Sequence, residues 1–232
     1  MNSDHIHKAF DNDLQQVRHK VILMAEMVCK ELSDSIQAFA VRDQDQASDT
    51  VAADTLINAS ERIIDDQIIK SIVLHQPVAS DCRQLIAALR IVKDLERIGD
   101  YATNIANHSI TLDKLEITGE EQRVIDMGHA VITMIEEVIE AFSEQDAAKA
   151  KLVRQQDEQI DELFTKIFSD LLAINTGNAK LSSSCTHLSF IARSIERIGD
   201  HITDIAEEVL YTVEGKFPQD DRIKADKSAF VK

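Results

Sequence analysis

LERIGDYATNIANHS occupies residues 95–109, and IERIGDHITDIAEEV begins one hundred residues later, at 195. Each stretch carries a glycine in otherwise helical text, directly before an aspartate. The chain has only six glycines and two prolines. A glycine inside a helix costs about 1 kcal/mol against alanine, so two of them at matching positions call for a physical reason.

Working outward from the second stretch, Leu181, Cys185, Leu188, Ala192, Ile195, Gly199, Ile202, Ala206 and Val209 recur at steps of three and four. That spacing predicts a long amphipathic helix with one apolar seam over 181–213. Leu85, Leu89, Val92, Leu95, Gly99, Ala102 and Ala106 repeat the pattern. Further amphipathic stretches lie near 6–41, 45–74 and 146–174, with a shorter one near 120–142. Thr118-Gly-Glu-Glu121 and Ser143-Glu-Gln-Asp146 read as helix N-caps with an acid at the third position. Gly177 reads as a helix C-cap, and Pro77 follows the second helix. The end of the chain after Gly215 shows no period and is expected to be mobile.

The six helices repeat. Asp54-x-x-Ile57-Asn58 is answered by Asp157-x-x-Ile160-Asp161 at an offset of 103, and Glu96-Arg-Ile-Gly-Asp100 by Glu196-Arg-Ile-Gly-Asp200 at an offset of 100. Two ordered matches with consistent spacing indicate duplication. The predicted fold is all-α: two tandem up-down three-helix bundles, residues 1–115 and 116–215, followed by a flexible tail at 216–232.

Composition narrows the function. With 25 basic and 41 acidic side chains the net charge is −16, which repels phosphate backbones and argues against direct nucleic-acid binding. No apolar run reaches the length of a membrane span, and MNSDHIHKAFDND lacks the basic and apolar regions of a secretion signal. Cys29, Cys82 and Cys185 are scattered and odd in number, as expected of reduced thiols, so the expected location is cytoplasmic. Nothing resembles a phosphate-binding loop, a nucleotide fingerprint or a nucleophile–base arrangement.

In the third helix of each copy, acidic or amide groups recur every fourth residue: Glu96, Asp100, Asn104 and Glu196, Asp200, Asp204. Side chains four apart share a helix face. Stacked carboxylates repel, and Arg97 and Arg197, one residue on, lie roughly 100° around the helix. A divalent or trivalent metal is the simplest compensation, and hard oxygen ligands suit Mg²⁺, Mn²⁺ or Fe, with Zn²⁺ possible. In the second helix, Asp54 with Asn58, and Asp157 with Asp161, offer two oxygens each on one face. Gly99 and Gly199 would then let a neighbouring backbone approach, or leave room for ligands. His108 and His201 lie beside the stripes without counterparts in the other copy and read as ordinary polar positions. His75, His129 and His187 show no ligand spacing. A carboxylate-bridged metalloenzyme is the alternative reading, although the Glu-x-x-His pairs of di-iron bundles are missing from the matched motifs.

The doubled ERIGD, the downstream NIA and DIA, and the earlier Asp-x-x-Ile-Asn/Asp resemble the PhoU family of phosphate-regulation proteins over about residues 10–212. The resemblance implies two three-helix bundles related by a pseudo-twofold, with metal clusters held by the acidic motifs in some members of the family. It implies a non-enzymatic negative regulator of the phosphate-starvation response. Such a regulator would link the ATPase of a phosphate ABC importer to a sensor histidine kinase at the inner membrane, and dimers are implied as well. Carried over, the ligands would be Glu96 and Asp100 in one half and Glu196 and Asp200 in the other, with Asp54, Asp157 and Asp161 as weaker additions. Counting carboxylates, three (54, 96, 100) against five (157, 161, 196, 200, 204), the second site is expected to hold its metal more tightly.

Overall fold

The computed structural model describes residues 2–219 and 224–231, with side chains from Phe10 onward. It contains six long α-helices: α1 (Asn2–Val41), α2 (Gln44–His75), α3 (Ala79–Leu112), α4 (Glu121–Glu144), α5 (Ala147–Gly177) and α6 (Ser182–Glu214). Helices α1, α2 and α3 pack mutually, as do α4, α5 and α6, so each copy is a three-helix bundle. The copies meet along α3 and α6, the most extensive helix pairing in the molecule, and again along α1 and α4. At the second contact a Cβ on Gly128 would lie 2.5 Å from Ile36 Cδ1, so glycine there permits the approach of α1 to α4.

Aliphatic side chains fill the interior, as the scarcity of aromatics requires. Leu32, Ile57, Leu95, Ile98, Val131, Ile135, Phe164, Ile195 and Ile202 belong to one apolar cluster that draws on all six helices. The periodic seam of each helix is the face turned into this cluster.

Several local expectations change. α4 runs through Ser143 to Glu144, because the buried Ala141 and half-buried Phe142 continue the apolar period past the serine. Asp146 is the actual cap of α5, its Oδ1 accepting from the N–H groups of Ala148 and Lys149 at 2.8 and 3.0 Å. At α4 the capping roles reverse: Glu121 reaches back to accept from the N–H groups of Thr118 and Gly119 at 2.8 and 2.9 Å. Gly177 remains inside α5, and Asn178 ends the helix, its Oδ1 accepting from Lys180 N–H at 3.1 Å.

The end of the chain also departs from expectation. Residues 220–223 and 232 lie outside the described residues. Residues 224–231 do not hang free; they lie across α5 and α6 and close with a short 3₁₀ turn, Ser228–Phe230. Hydrogen bonding of an extended segment leaves no periodic trace in sequence. Among the described residues no helix is long and apolar enough to cross a membrane.

Candidate metal-binding faces

Gly99 and Gly199 mark where the second helix of each copy touches the third. A Cβ on Gly99 would stand 3.2 Å from Ile57 Cδ1 and 3.7 Å from Asp54 Oδ1. A Cβ on Gly199 would run into Asp157 Oδ1. The glycines therefore seat the Asp-x-x-Ile motif of α2 and α5 against bare helix backbone, and this brings Asp54 towards Asp100, and Asp157 towards Asp200.

In the first copy, Asn58 donates to Asp54 Oδ2 at 2.7 Å, while Asp54 Oδ1 is buried with no hydrogen-bond partner. Burial, and then the charge of Asp100, hold the Asp54 carboxyl above its ordinary range. A residue that the stripes did not include completes this face. Glu31 of α1 is buried, and Thr103 Oγ1 donates to its Oε1 at 2.9 Å. Burial raises the Glu31 carboxyl to about 7, opposed by the Thr103 bond and reinforced by the charges of Asp54, Asp100 and Asp34. Three helices thus direct carboxylates into one region, with an orphaned oxygen among them. That is the donor chemistry of a hard cation, and these residues fit one. Glu31 had a sequence signal: it lies on the seam side of α1, beside Val28, Leu32 and Ser35, where a charge is out of place.

Helical drift alters the stripes. Steps of four advance 400°, so each stripe rotates about 40° per four-residue step and its third member stands about 80° from the first. Asn104 and Asp204 are accordingly exposed, off the face that carries Glu96, Asp100, Glu196 and Asp200. The arginines are closer than the sequence suggests. Arg97 Nη1 reaches Asp100 Oδ2 at 3.1 Å and Arg197 Nη1 reaches Asp200 Oδ2 at 3.0 Å, since i and i+3 are neighbours on a helix surface. The stripes therefore do contain cations. Lys93 adds another, bonded to Glu61 at 2.8 Å and Glu96 at 3.2 Å.

The second copy is more enclosed. Asp157, Asp161, Glu196 and Asp200 are all buried, and the Asp200 side chain is 12% exposed against 40% for Asp100. The C-terminal segment is one cause. Lys224 Nζ lies 3.3 Å from Asp200 Oδ1, and Ala225 N–H donates to Asp161 Oδ2 at 2.8 Å. Arg193 ties the segment down, with Nη1 2.9 Å from Asp226 Oδ2 and 3.2 Å from Glu196 Oε2, and with Nη2 2.9 Å from Ser228 Oγ. Burial and the charge of Asp200 still hold the Glu196 carboxyl above its usual range, against Arg193 and Arg197. The count of five carboxylates did not include this chain-borne ammonium.

A different group gathers between α3 and α6. Asp94, His201 and Asp204 each offer a ligand atom within 4.8 Å of the others, and they are the one such trio among the described residues. His201 Nδ1 lies 3.0 Å from Asp94 Oδ1. One turn beyond Asp204, Glu208 is buried, with Oε1 accepting from Arg90 Nη1 at 2.9 Å. Burial raises the Glu208 carboxyl, opposed by Arg90 and reinforced by Asp94 and Asp204. Elsewhere along the α3–α6 seam, His108 Nδ1 and His187 Nδ1 stand 2.9 Å apart, and Phe190 stacks on His108. Sequence spacing concealed both pairs, because residues 79 and 107 positions apart meet only through the helix crossing.

Comparison with known proteins places this architecture. The model of the PhoU domain family matches residues 21–108 and again residues 124–209. A phosphate-specific transport system accessory protein PhoU homolog of Rhizobium meliloti (strain 1021) is 34% identical over 227 residues, 97% of this chain and 96% of the relative. One from Clostridium acetobutylicum is 30% identical over 210 residues, covering 90% and 96%. The crystal structure of PhoU from Pseudomonas aeruginosa superposes with a TM-score of 0.87 at 33% identity, covering 89% of this chain and all of that one. That of the phosphate transport system regulatory protein PhoU from Streptococcus pneumoniae gives 0.84 at 25% identity, covering 90% and 99%. Two matched repeats, near-complete coverage and a shared six-helix fold establish that the chain belongs to the PhoU family.

Proposed function

We propose that this protein regulates phosphate uptake and represses the phosphate-starvation response as a metal-binding adaptor with no catalytic step of its own. The observation that carries the reading is likeness along almost the whole chain to accessory proteins of phosphate-specific transport. The partners in this reading are the ATPase of a phosphate ABC importer and the sensor histidine kinase of the phosphate two-component system. The adaptor is cytoplasmic, reaches the inner membrane through those partners and acts as a homodimer. With a surface of net charge −16, phosphate level is sensed through the partners rather than in an anion pocket of this chain.

Metal belongs to the same proposal. Glu31, Asp54, Glu96 and Asp100 would hold a cation in the first copy, and Asp157, Asp161, Glu196 and Asp200 in the second. A bound Mg²⁺, Mn²⁺, Fe or Zn²⁺ ion would supply positive charge that ties the second helix of a copy to the third. The burial of Glu31 and the orphaned Asp54 oxygen support this.

The decisive experiment removes the gene from its own cell and measures high-affinity phosphate uptake and a starvation-response reporter in phosphate-rich medium. Both are expected to rise, and restoring the gene should lower them. Uptake and reporter that stay at wild-type levels would exclude the regulatory role. Elemental analysis of wild type and of the Glu96→Ala/Asp100→Ala and Glu196→Ala/Asp200→Ala variants tests the metal assignment separately.

A further inference from the structure

We propose that Asp94, His201 and Asp204 form a third metal site, distinct from the two stripe faces, that takes a borderline divalent ion such as Zn²⁺ and staples α3 of the first copy to α6 of the second. Its donor set differs from the all-oxygen faces: one imidazole nitrogen with two carboxylates suits Zn²⁺ or Co²⁺ better than Mg²⁺. The spacing suits them too. Ligand atoms about 2.1 Å from a tetrahedral ion stand about 3.4 Å apart, so His201 Nδ1 and Asp94 Oδ1, now 3.0 Å apart, would separate by a few tenths of an ångström to take one. Asp204 supplies the third atom, within 4.8 Å of both.

A second observation points to a ligand. Glu208 is 7% exposed, and its Oε2 is buried without a hydrogen-bond partner. This carboxylate lines the same cavity as Asp94 and Asp204, about 310 Å³ in volume. Among the described residues Arg90 holds Glu208 Oε1, Lys93 bonds Glu61 and Glu96, and Arg154 Nε bonds Glu207 at 2.8 Å. The site is also not a by-product of duplication. One hundred residues away, Asp94 is answered by Ser194, His201 by Tyr101, Asp204 by Asn104 and Glu208 by His108. The Asp–His–Asp set thus occurs at only one of the two matching places.

The test titrates metal-free full-length protein with Zn²⁺, and with Co²⁺ as a spectroscopic probe, comparing wild type with Asp204→Asn and His201→Gln. Asp204 is exposed, so Asp204→Asn, nearly the same in shape, buries no new group, and circular dichroism checks its fold. Each substitution is expected to weaken one equivalent of Zn²⁺ at least tenfold. Both should abolish a Co²⁺-shifted imidazole resonance that persists in the Glu96→Ala/Asp100→Ala and Glu196→Ala/Asp200→Ala variants. Equal Zn²⁺ binding in wild type and both seam variants, or a shifted imidazole that survives His201→Gln, would overturn the site and leave an ordinary Asp94–His201 ion pair. Loss of metal from the stripe variants alone would support the stripe faces and refute this one.

Discussion

Gly199 lies directly against the carboxylate of Asp157, so closely that a methyl group on the glycine would occupy the space of Asp157 Oδ1. The equivalent pair in the first copy is looser. Gly99 would bring a methyl within 3.2 Å of Ile57 Cδ1 but only within 3.7 Å of Asp54 Oδ1.

Gly→Ala substitution should therefore act unequally. Alanine gains about 1 kcal/mol of helix propensity at either position. At residue 99 a small shift of Ile57 offsets much of that gain, and the melting temperature should stay within about 3 °C of wild type. At residue 199 the buried Asp157 must move, and overpacking of this kind costs about 1–3 kcal/mol. Gly199→Ala should melt several degrees lower. Calorimetry on the two variants checks this, and equal melting temperatures would count against the close seating of Asp157.

Glu31 makes stability depend on pH. Its folded carboxyl is raised to about 7 from an ordinary value of 4.5, so the folded chain binds that proton more tightly than the unfolded chain. Its contribution is most favourable below pH 4.5, declines as pH rises towards 7, and leaves the full penalty above 7. Glu31→Gln keeps an acceptor for Thr103 and removes the charge. In metal-free protein the variant should be more stable than wild type at pH 8, by on the order of 1–3 kcal/mol, and the difference should vanish near pH 4.5. A difference that ignores pH would remove Glu31 from the acidic face.

His108 responds in the opposite direction. Burial, with the proximity of His187, holds His108 below its ordinary value of 6.5. Its contribution is present above pH 6.5 and is lost as pH falls through and below that value. In His187→Gln the His108 titration, followed by NMR, should move up towards 6.5. No movement would show that burial alone sets it.

The C-terminal segment predicts a pattern of amide protection. Asp226 accepts from Arg193 Nη1 and from Ser228 N–H, at 2.9 and 2.8 Å. Hydrogen bonds to charged groups contribute about 1.5–3 kcal/mol each. Asp226→Ala should speed exchange at the Ala225 and Ser228 amides by about tenfold or more, and should hasten tryptic cleavage after Lys224 and Lys227. Lys224→Ala should strengthen cation binding by the second copy while leaving the first unchanged. Titration of both variants against wild type measures this.

Much of the architecture was legible because a 3.6-residue period survives in sequence wherever one helix face is buried. The seams of α3 and α6, the doubled glycines and the paired Asp-x-x-Ile motifs all carried that signal. What escaped obeys no local period. Asp94 meets His201 across 107 residues, and only the crossing of α3 with α6 makes them neighbours. Asp204 was grouped with Asp200 by counting in fours, and the 40° drift per step carries it round to the seam instead. Glu31 was visible in principle as an acid among apolar seam positions, but it belongs to α1, outside the repeated motifs. Arg97 and Arg197 were placed by the angle of their Cα atoms, although a long side chain reaches well beyond that angle.

Duplication gives a protein two of each internal element, but the segment 224–231 that follows α6 occurs once. Lys224, Ala225 and Asp226 can therefore serve only one of the two acidic faces, and they lie on the second. The halves become unequal by connectivity alone, even where their glutamate and aspartate positions coincide. The first face is balanced by Arg97 and Lys93 of its own helix, and the second has Lys224 from a distant segment in addition to Arg197. Any event that displaces residues 224–228, whether cleavage or a docking protein, acts on the second face, where their contacts lie.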